Sequence, residues 1–600
     1  MNESGLTDSD ISTIEKLTMQ NREATKYDFD QMELSPDTEN AEQILDPELI
    51  SSAENTNLFE YEQIHLNKRY QGFFKSMNPE EIIKWQGSLL SKTLIRLPSS
   101  LEEIALQLFK NLMSYMGDRS SSKSPQLHVI KHTRLAMSSP EEVKDEAYLQ
   151  VIKQITRNPN PTRCTRGWNL LAIMASCYPP SMELFHALIH YLLDIIKSGD
   201  EDLSKRANYI AIRLSKTFES RRKISPSDLE IKHVEAMKPI VIQMNFFSGA
   251  ATSCQVESYT TVRELKTIVM KKLSLNISRI PYFSIYEMCY KPDSIEERYL
   301  NEFEKVCDIL SVWQKEIEAH KKKNINIEFK FFLKLLLYYD YNIEDLDSVT
   351  MTYVQTNFEV IKGRYNLTED EIIDLGAVQL FIDYGHFPLE EIKSNIKEHI
   401  KKFVPSNKLK AKSESEWADK ILERFNNTNM YKSKLEAKNA YLDIMKKNEL
   451  FQSCQFLCTY SSKLNTANNN SERVANPCHI PEECIVAVKP TEIIITDIGR
   501  NRIYSMPLTS IASWGVNSET FVIVEKKGEK EYNKSYFNCN QPKLFKIIID
   551  SYTNILVGKN MVEIMTERVE TCKLFESLPA TKLKPGESLR TRQSTIYEAE

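Results

Sequence analysis

Residues 145–181 read DEAYLQVIKQITRNPNPTRCTRGWNLLAIMASCYPPS, and this stretch decides the fold. Over Val143 to Arg157 the apolar residues Val143, Ala147, Val151, Ile152 and Ile155 recur at helical spacing, while Lys153 and Arg157 project from the other side. An Asn/Pro connector follows. The next helix, about Gly167 to Cys177, carries Trp168, Leu170, Leu171, Ile173 and Met174 and has no polar face, which places it in the core of a helical bundle. Tyr178-Pro179-Pro180-Ser181 stops it. The stretch contains no catalytic constellation, so it points to binding rather than turnover.

Working outward, a third helix starts with Ser181 as N-cap and Glu183 in its first turn, and Gly199 is its natural stop. In the fourth, Leu203, Ala207, Ile210, Ala211, Leu214 and Phe218 share one face, and Lys205, Arg206, Arg213 and Lys216 fill an arc of about 100° opposite. Arg221, Arg222 and Lys223 extend this basic stripe. Helical patterning runs from about residue 70 to 236.

A chain of 600 residues should divide into several domains, since single cores stop growing near roughly 250 to 300 residues. A hydrophobic content of 41% with 27% charged residues is that of a soluble globular protein. No apolar run reaches the roughly 20 residues of a membrane span, and the start MNESGLTDSD is acidic where a secretion signal would be basic. Eleven scattered cysteines fit reduced thiols, and a cytoplasmic location is expected. Residues 1–66 hold 16 Asp/Glu against 3 Lys/Arg, a balance of -13, leaving +7 for residues 67–600 within the overall -6. This arm lacks sustained periodicity and is expected to be disordered, with a marginal helix at Ile11 to Gln20. It is either a solvating tail or a mask over the basic stripe.

From Pro239 the period changes to 2. IVIQMNFF and TSCQVESY read as a hairpin, a helix follows with the capping box Thr261-x-x-Glu264, and Phe283 to Tyr290 reads as a strand. This lobe, 239–320, has a ubiquitin-like order. Ile325 to Tyr339 then reads as the opening of a helical unit, 321–460, whose clearest members are Thr350 to Tyr365 and the helix from Thr368-x-x-Glu371 to Tyr384, ended by Gly385. The Lys-rich segment 386–429 reads as an insertion. Over 478–558 short strands (CIVAVK, EIIITD, RIYSMPL, SIASWGV, TFVIVEK, YNKSYF) are closed by one amphipathic helix with Pro542 at its first position. Residues 560–600 read as a polar tail.

Several chemistries are excluded. The smallest gap between any two of the 15 glycines is Gly376 to Gly385, so neither GxxxxGK[ST] nor GxGxxG exists and an ATP-driven motor within this chain is ruled out. His186 and His190 lack the Glu of HExxH, and Cys454, Cys458, Cys478, His479 and Cys484 form no CxxC, so ordinary packing is the reading for both sets. There is no GxSxG elbow. The reading is of a non-enzyme with no cofactor.

The blocks Lys153-Gln154-Ile155-Thr156, Asn158-Pro159-Asn160, Arg166-Gly167-Trp168 and Tyr178-Pro179-Pro180-Ser181, in order, resemble the myosin tail homology 4 domain. Gly363-Arg364-Tyr365, AKNAYLDIMKKNELF from Ala437 and SIASWGVNSETFVIV from Ser510 resemble the second and third lobes of a FERM domain. The resemblance, over about Tyr70 to Gly558, is to the tandem found in tails of unconventional myosins and plant kinesins and in motorless adaptors. It implies an all-α helical superhelix followed by three lobes: ubiquitin-like, acyl-CoA-binding-like helical, and a pleckstrin-homology-like barrel. It also implies cargo tails and cytoskeletal filaments, microtubule or actin-associated, as partners at the cell cortex. The alternative is an effector of a small GTPase or phosphoinositide.

Three surfaces are then expected. A filament patch comprises Lys153, Arg157, Arg163, Arg166, Lys205, Arg206, Arg213 and Lys216; a solvated helix face gives the same pattern. Nucleic acid is not expected, because no aromatic residues interleave the basic ones. A pleckstrin-like barrel accepts an extended peptide beside its helix, and Phe521, Ile523, Phe545 and Ile549 are either its lining or core. Lys266, Lys271 and Lys272 are candidates to face anionic lipid, as membrane-linking FERM proteins would; at about 1 kcal/mol per charge lipid is an accessory ligand.

Overall fold

The computed structural model of the chain describes residues 41–67, 82–219, 221–273, 277–338, 343–385, 389–427, 431–461, 463–465, 471–473, 478–529, 531–559, 563–564, 567–568, 571 and 594–598. The first of these correct the expectation of a disordered arm over 1–66. Asp46 and Asn57 cap two short helices, α1 (Pro47–Glu54) and α2 (Leu58–His65). Ala53 and Tyr61 are buried, and the Tyr61 hydroxyl donates to Asp145 at 2.9 Å. Each helix has only two turns, too short for a period to register, and each is held by the bundle it lies on. The helix expected at 11–20 lies outside the described residues.

The bundle continues with α3 (Ser99–Met116), α4 (Pro125–Met137), α5 (Glu141–Ile155), α6 (Pro161–Cys177), α7 (Met182–Lys197), α8 (Glu201–Glu219) and α9 (Asp228–Glu235). As its apolar circumference requires, α6 is central: Trp168 and the run Leu170 to Cys177 are buried in one core with residues of α1 to α9. Ser181 caps α7 as expected.

In the first lobe, β1 (Ile240–Asn245), β2 (Ala251–Val256), α10 (Val262–Lys272), β3 (Phe283–Tyr290) and β4 (Ser294–Tyr299) precede α11 (Val306–Lys321) and β5 (Glu328–Leu335). The capping box of α10 is formed by Thr261 and Glu264. β5 corrects the helical reading of 325–339 and the lobe boundary at 320. It lies between β3 and β1, parallel to β1, and Trp313 of α11 stacks on its Phe329 with centroids 5.2 Å apart. The consecutive apolar residues Phe331 to Leu333 and Leu335 to Tyr338 interrupt its alternation, and a short apolar run is indistinguishable from buried helix by periodicity.

The second lobe comprises α12 (Leu346–Ile361), α13 (Glu369–Tyr384), α14 (Leu389–Glu398), α15 (Glu414–Asn427) and α16 (Lys434–Met445). Residues 386–429 are therefore no insertion. Trp417, Ala418, Ile421 and Leu422 of α15 are buried in the lobe's core, and a Cβ on Gly376 of α13 would meet Ile421 Cδ1 at 2.9 Å. The lysines that made the segment look like an insertion cover the outer faces of short helices.

The third lobe is a seven-stranded sheet closed by a helix. β6 (Cys454–Tyr460), β7 (Glu483–Val488), β8 (Glu492–Thr496), β9 (Arg502–Pro507), β10 (Ile511–Val516), β11 (Thr520–Lys526) and β12 (Tyr532–Cys539) follow in sequence, in spatial order β9-β8-β7-β6-β12-β11-β10. Helix α17 (Pro542–Leu556) covers one face. β6 is its middle strand, so the lobe begins well before the expected residue 478. The tail corrects its own expectation too. β13 (Ser594–Glu598) runs antiparallel along β4, with Ser594 opposite Arg298, and buried Arg568 donates to the Pro281 carbonyl at 2.7 Å. Among the described residues no helix is long and apolar enough to cross a membrane.

Candidate functional site

The signature that opened the sequence holds the helical domain together. Lys153 donates to the carbonyls of Ile82 and, at 2.6 Å, Lys84; burial, then the charge of Lys84, pulls its ammonium down to about 8. Gln154 exchanges two 3.1 Å hydrogen bonds with the backbone of Gln86, and Asn160 caps α6. A Cβ on Gly167 would meet Ile155 Cγ2 at 2.4 Å, so α5 and α6 cross where only glycine fits. The Ser181 amide and the Tyr61 hydroxyl both donate to Asp145.

The expected filament patch does not form one exposed face. Lys153 is 3% and Arg213 4% exposed, and both leave it. The Arg213 guanidinium lies 3.1 Å from the ring centroid of Tyr209 and pairs with Glu257 in the first lobe. An amphipathic wheel places Arg213 opposite the bundle core, and that side is where the first lobe docks. Arg222, read as an extension of the stripe, is buried as well. Its Nε donates to Asp308 at 2.6 Å, and its other nitrogens reach Glu230. Of the remainder, Arg206 pairs with Asp202 at 2.9 Å, Lys216 with Glu219 at 3.7 Å and Arg163 with Asp118 at 3.0 Å, while Arg166 donates to the Tyr115 carbonyl. Arg157, at a positive φ of 52°, and Lys205 are exposed.

The four groove candidates are core. Phe521, Ile523, Phe545 and Ile549 are at most 1% exposed, and the Phe521 and Phe545 rings stack with centroids 3.8 Å apart. The sheet edge beside α17 is β10, one strand beyond the expected one. There Trp514 donates its indole N–H to Asp550 of α17 at 2.6 Å, and Asp550 also accepts from Lys546 at 2.7 Å. The SIASWGV run announced β10 as a strand; its edge position depended on pairings the sequence does not display.

Of the lipid candidates, Lys266 is fully buried and paired with Glu302, and burial lowers its pKa despite that partner. Lys272 donates to the Ser253 carbonyl at 2.6 Å, and Lys271 is exposed. A buried charged joint links the first and second lobes. Glu297 of β4 meets Lys334 of β5 at 3.0 Å, Arg364 lies 3.8 Å from Glu297 and 3.9 Å from Glu359, and Glu359 accepts from Tyr365 at 2.8 Å. Burial pushes the neighbouring Cys454 thiol up to about 12. Gly363-Arg364-Tyr365 is thus a structural joint. His190 contacts the Ala53 carbonyl at 3.1 Å, and no group of metal-holding residues occurs among the described residues.

A helical domain seamed by buried ion pairs to the first of three lobes, with sheet edges exposed among the described residues, has the build of a protein-interaction module. The chain carries a myosin tail homology 4 and FERM tandem: the family model of the MyTH4 domain matches residues 130–233, that of the FERM central domain 340–456, and that of an RA like domain 238–336. It is 24% identical over 444 residues to the myosin-I heavy chain of Dictyostelium discoideum, covering 69% of this chain and 18% of that one. To the kinesin-like protein KIN-14I of Oryza sativa subsp. japonica it is 24% identical over 458 residues, 70% and 36% of the two chains. The chain thus spans less than a fifth of the length of the first myosin relatives. The MF1 MyTH4-FERM domain of Dictyostelium discoideum myosin VII has the same fold, with a TM-score of 0.66 at 19% identity over 89% of this chain and 99% of that one. The C-terminal MyTH4-FERM domain of human myosin 7b, solved in complex with the harmonin-a PDZ3 domain, gives 0.61 at 18% identity over 83% and 96%.

Proposed function

We propose that the chain is a non-enzymatic cytoskeletal adaptor that holds the tail of a cargo or membrane receptor in its FERM lobes and links it to microtubules or actin-based structures near the cell cortex. The observation that carries this reading is the β10 edge. Among the described residues no strand pairs with its outer side, beside α17, where Trp514 and Asp550 form a polar anchor, and such an edge accepts an extended peptide as an added strand. The harmonin-a PDZ3 domain bound to the related myosin 7b tandem supports a peptide or protein ligand. Filament contact rests on Lys205 and Arg157, with partly exposed Lys216. Lipid contact rests on Lys271 and Lys272.

Cosedimentation with microtubules and with actin filaments, alongside crosslinking in cells, tests the reading. An adaptor pellets with one filament or crosslinks to a cytoskeletal protein; a chain that does neither removes the proposal. A second reading, an effector of a small GTPase, is favoured by the RA like domain match over the first lobe. A pulldown that prefers the GTP-loaded GTPase selects it.

A further inference from the structure

A cavity of about 640 Å³ opens between α3, α4 and the loop that joins them. Four cations line it: Arg119 and Lys123 from the loop, Lys131 and Arg134 one turn apart on α4. No Asp or Glu lines it, and none of the four has an acidic partner among the described residues. This separates them from the stripe on α8, where Arg206, Arg213 and Lys216 all face carboxylates. Ser120, Ser121 and Ser122 add three consecutive hydroxyls.

The floor carries a second, independent feature. His128 lines the cavity and is 5% exposed; its Nε2 is 2.7 Å from the Ser121 hydroxyl, while its Nδ1 is buried without a hydrogen-bond partner. A buried ring nitrogen left unpaired is costly unless a ligand or water completes it. The electrostatics agree. The adjacent Lys123 holds the Lys131 ammonium below its ordinary value, and burial, then Lys131, Lys123 and Arg119, lowers His128. Cations gathered without a counter-charge oppose one another and favour an anion among them.

We propose that this cavity binds a compact polyphosphorylated group, two or more phosphates on one small scaffold, either as a free inositol polyphosphate or as a phosphoinositide headgroup. Its volume is that of a small-ligand site, where a filament would need an open face. Arg119 and Arg134 offer forked donors to phosphate oxygens, the two lysines are point charges, and the serine hydroxyls satisfy remaining acceptors. The site is distinct from Lys271 and Lys272 in the first lobe and does not depend on the adaptor reading.

Titration calorimetry of the full chain with inositol 1,4,5-trisphosphate tests it, with flotation on phosphatidylcholine vesicles with and without phosphatidylinositol 4,5-bisphosphate. Saturable binding of the soluble trisphosphate is expected, weakening with salt. Lys123→Ala with Lys131→Ala should reduce affinity roughly tenfold or more, while Lys205→Ala on the stripe leaves it unchanged. Both variants alter exposed or half-exposed side chains, so the fold is retained, and a thermal melt verifies it. Flotation only with the bisphosphate lipid assigns the headgroup; soluble binding without flotation assigns the free polyphosphate. No saturable binding in either arm, an affinity no greater than for citrate, or an undiminished affinity in the double variant overturns the proposal.

Discussion

Arg222 Nε lies 2.6 Å from Asp308 Oδ1 across the seam between the helical domain and the first lobe. The Asp308 carboxylate also accepts from the backbone amides of Lys223 and Ile224 at 3.0 and 3.2 Å, so the connector after α8 folds around it. Glu230 and Asp308 together hold the Arg222 guanidinium well above its ordinary pKa, outweighing the burial that opposes it. With Arg213 on Glu257, the joint makes the two domains one unit.

Arg222→Ala leaves Glu230 and Asp308 as buried carboxylates without their cation. Breaking such a group costs about 3–5 kcal/mol. Differential scanning calorimetry should show one cooperative transition in the parent and separate, earlier melting of the helical domain in the variant. A single unshifted transition would show that the seam does not couple the domains.

Gly167→Ala should cost about 1–3 kcal/mol by overpacking, because the new Cβ meets Ile155 Cγ2 at 2.4 Å and Met116 Cε at 3.1 Å. Ile155→Ala in the same chain removes the methyl in the way. The double variant should therefore be more stable than the sum of the two single losses, a coupling that urea unfolding of the four proteins measures.

His132 is fully buried with neither ring nitrogen hydrogen-bonded, and burial pulls its pKa down to about 3. The unfolded chain protonates it near 6.5, so it favours the folded state fully above that pH and this contribution is lost as pH falls from 6.5 towards 3. His132→Leu should lessen the drop in unfolding free energy between pH 7 and pH 5 by about 2 kcal/mol. An equal drop in both proteins would mean that His132 is protonated without cost.

Legibility in the sequence followed exposure. The caps at Thr261, Thr368 and Ser181, the central α6 and six strands of the third lobe were readable because each depends on near neighbours. β5, β6 and α15 were not: their residues are chosen by partners distant in sequence, and in β5 the consecutive Phe331, Phe332 and Leu333 blur the alternation that marks a strand. The stripe failed for the same reason in reverse. Helical spacing places Arg213 away from its own domain's core, yet says nothing of a second domain there. The unpaired cations of the α3–α4 cavity were invisible because freedom from carboxylates is a property of the fold.

The third lobe offers the sharpest separation of core from ligand surface. Phe545 is fully buried and stacked on Phe521, so Phe545→Ala should destabilise the chain by about 3–5 kcal/mol. Trp514 stands at the β10 edge, half-buried, with its indole N–H on Asp550. Trp514→Phe keeps the ring and removes that bond, a net loss of about 1 kcal/mol or less in a partly solvated site. If peptides add to β10, Trp514→Phe weakens peptide capture with little change in melting temperature, whereas Phe545→Ala lowers melting and capture together. The opposite pattern, capture lost with Phe545 at an unchanged melting temperature, would return the groove to β11.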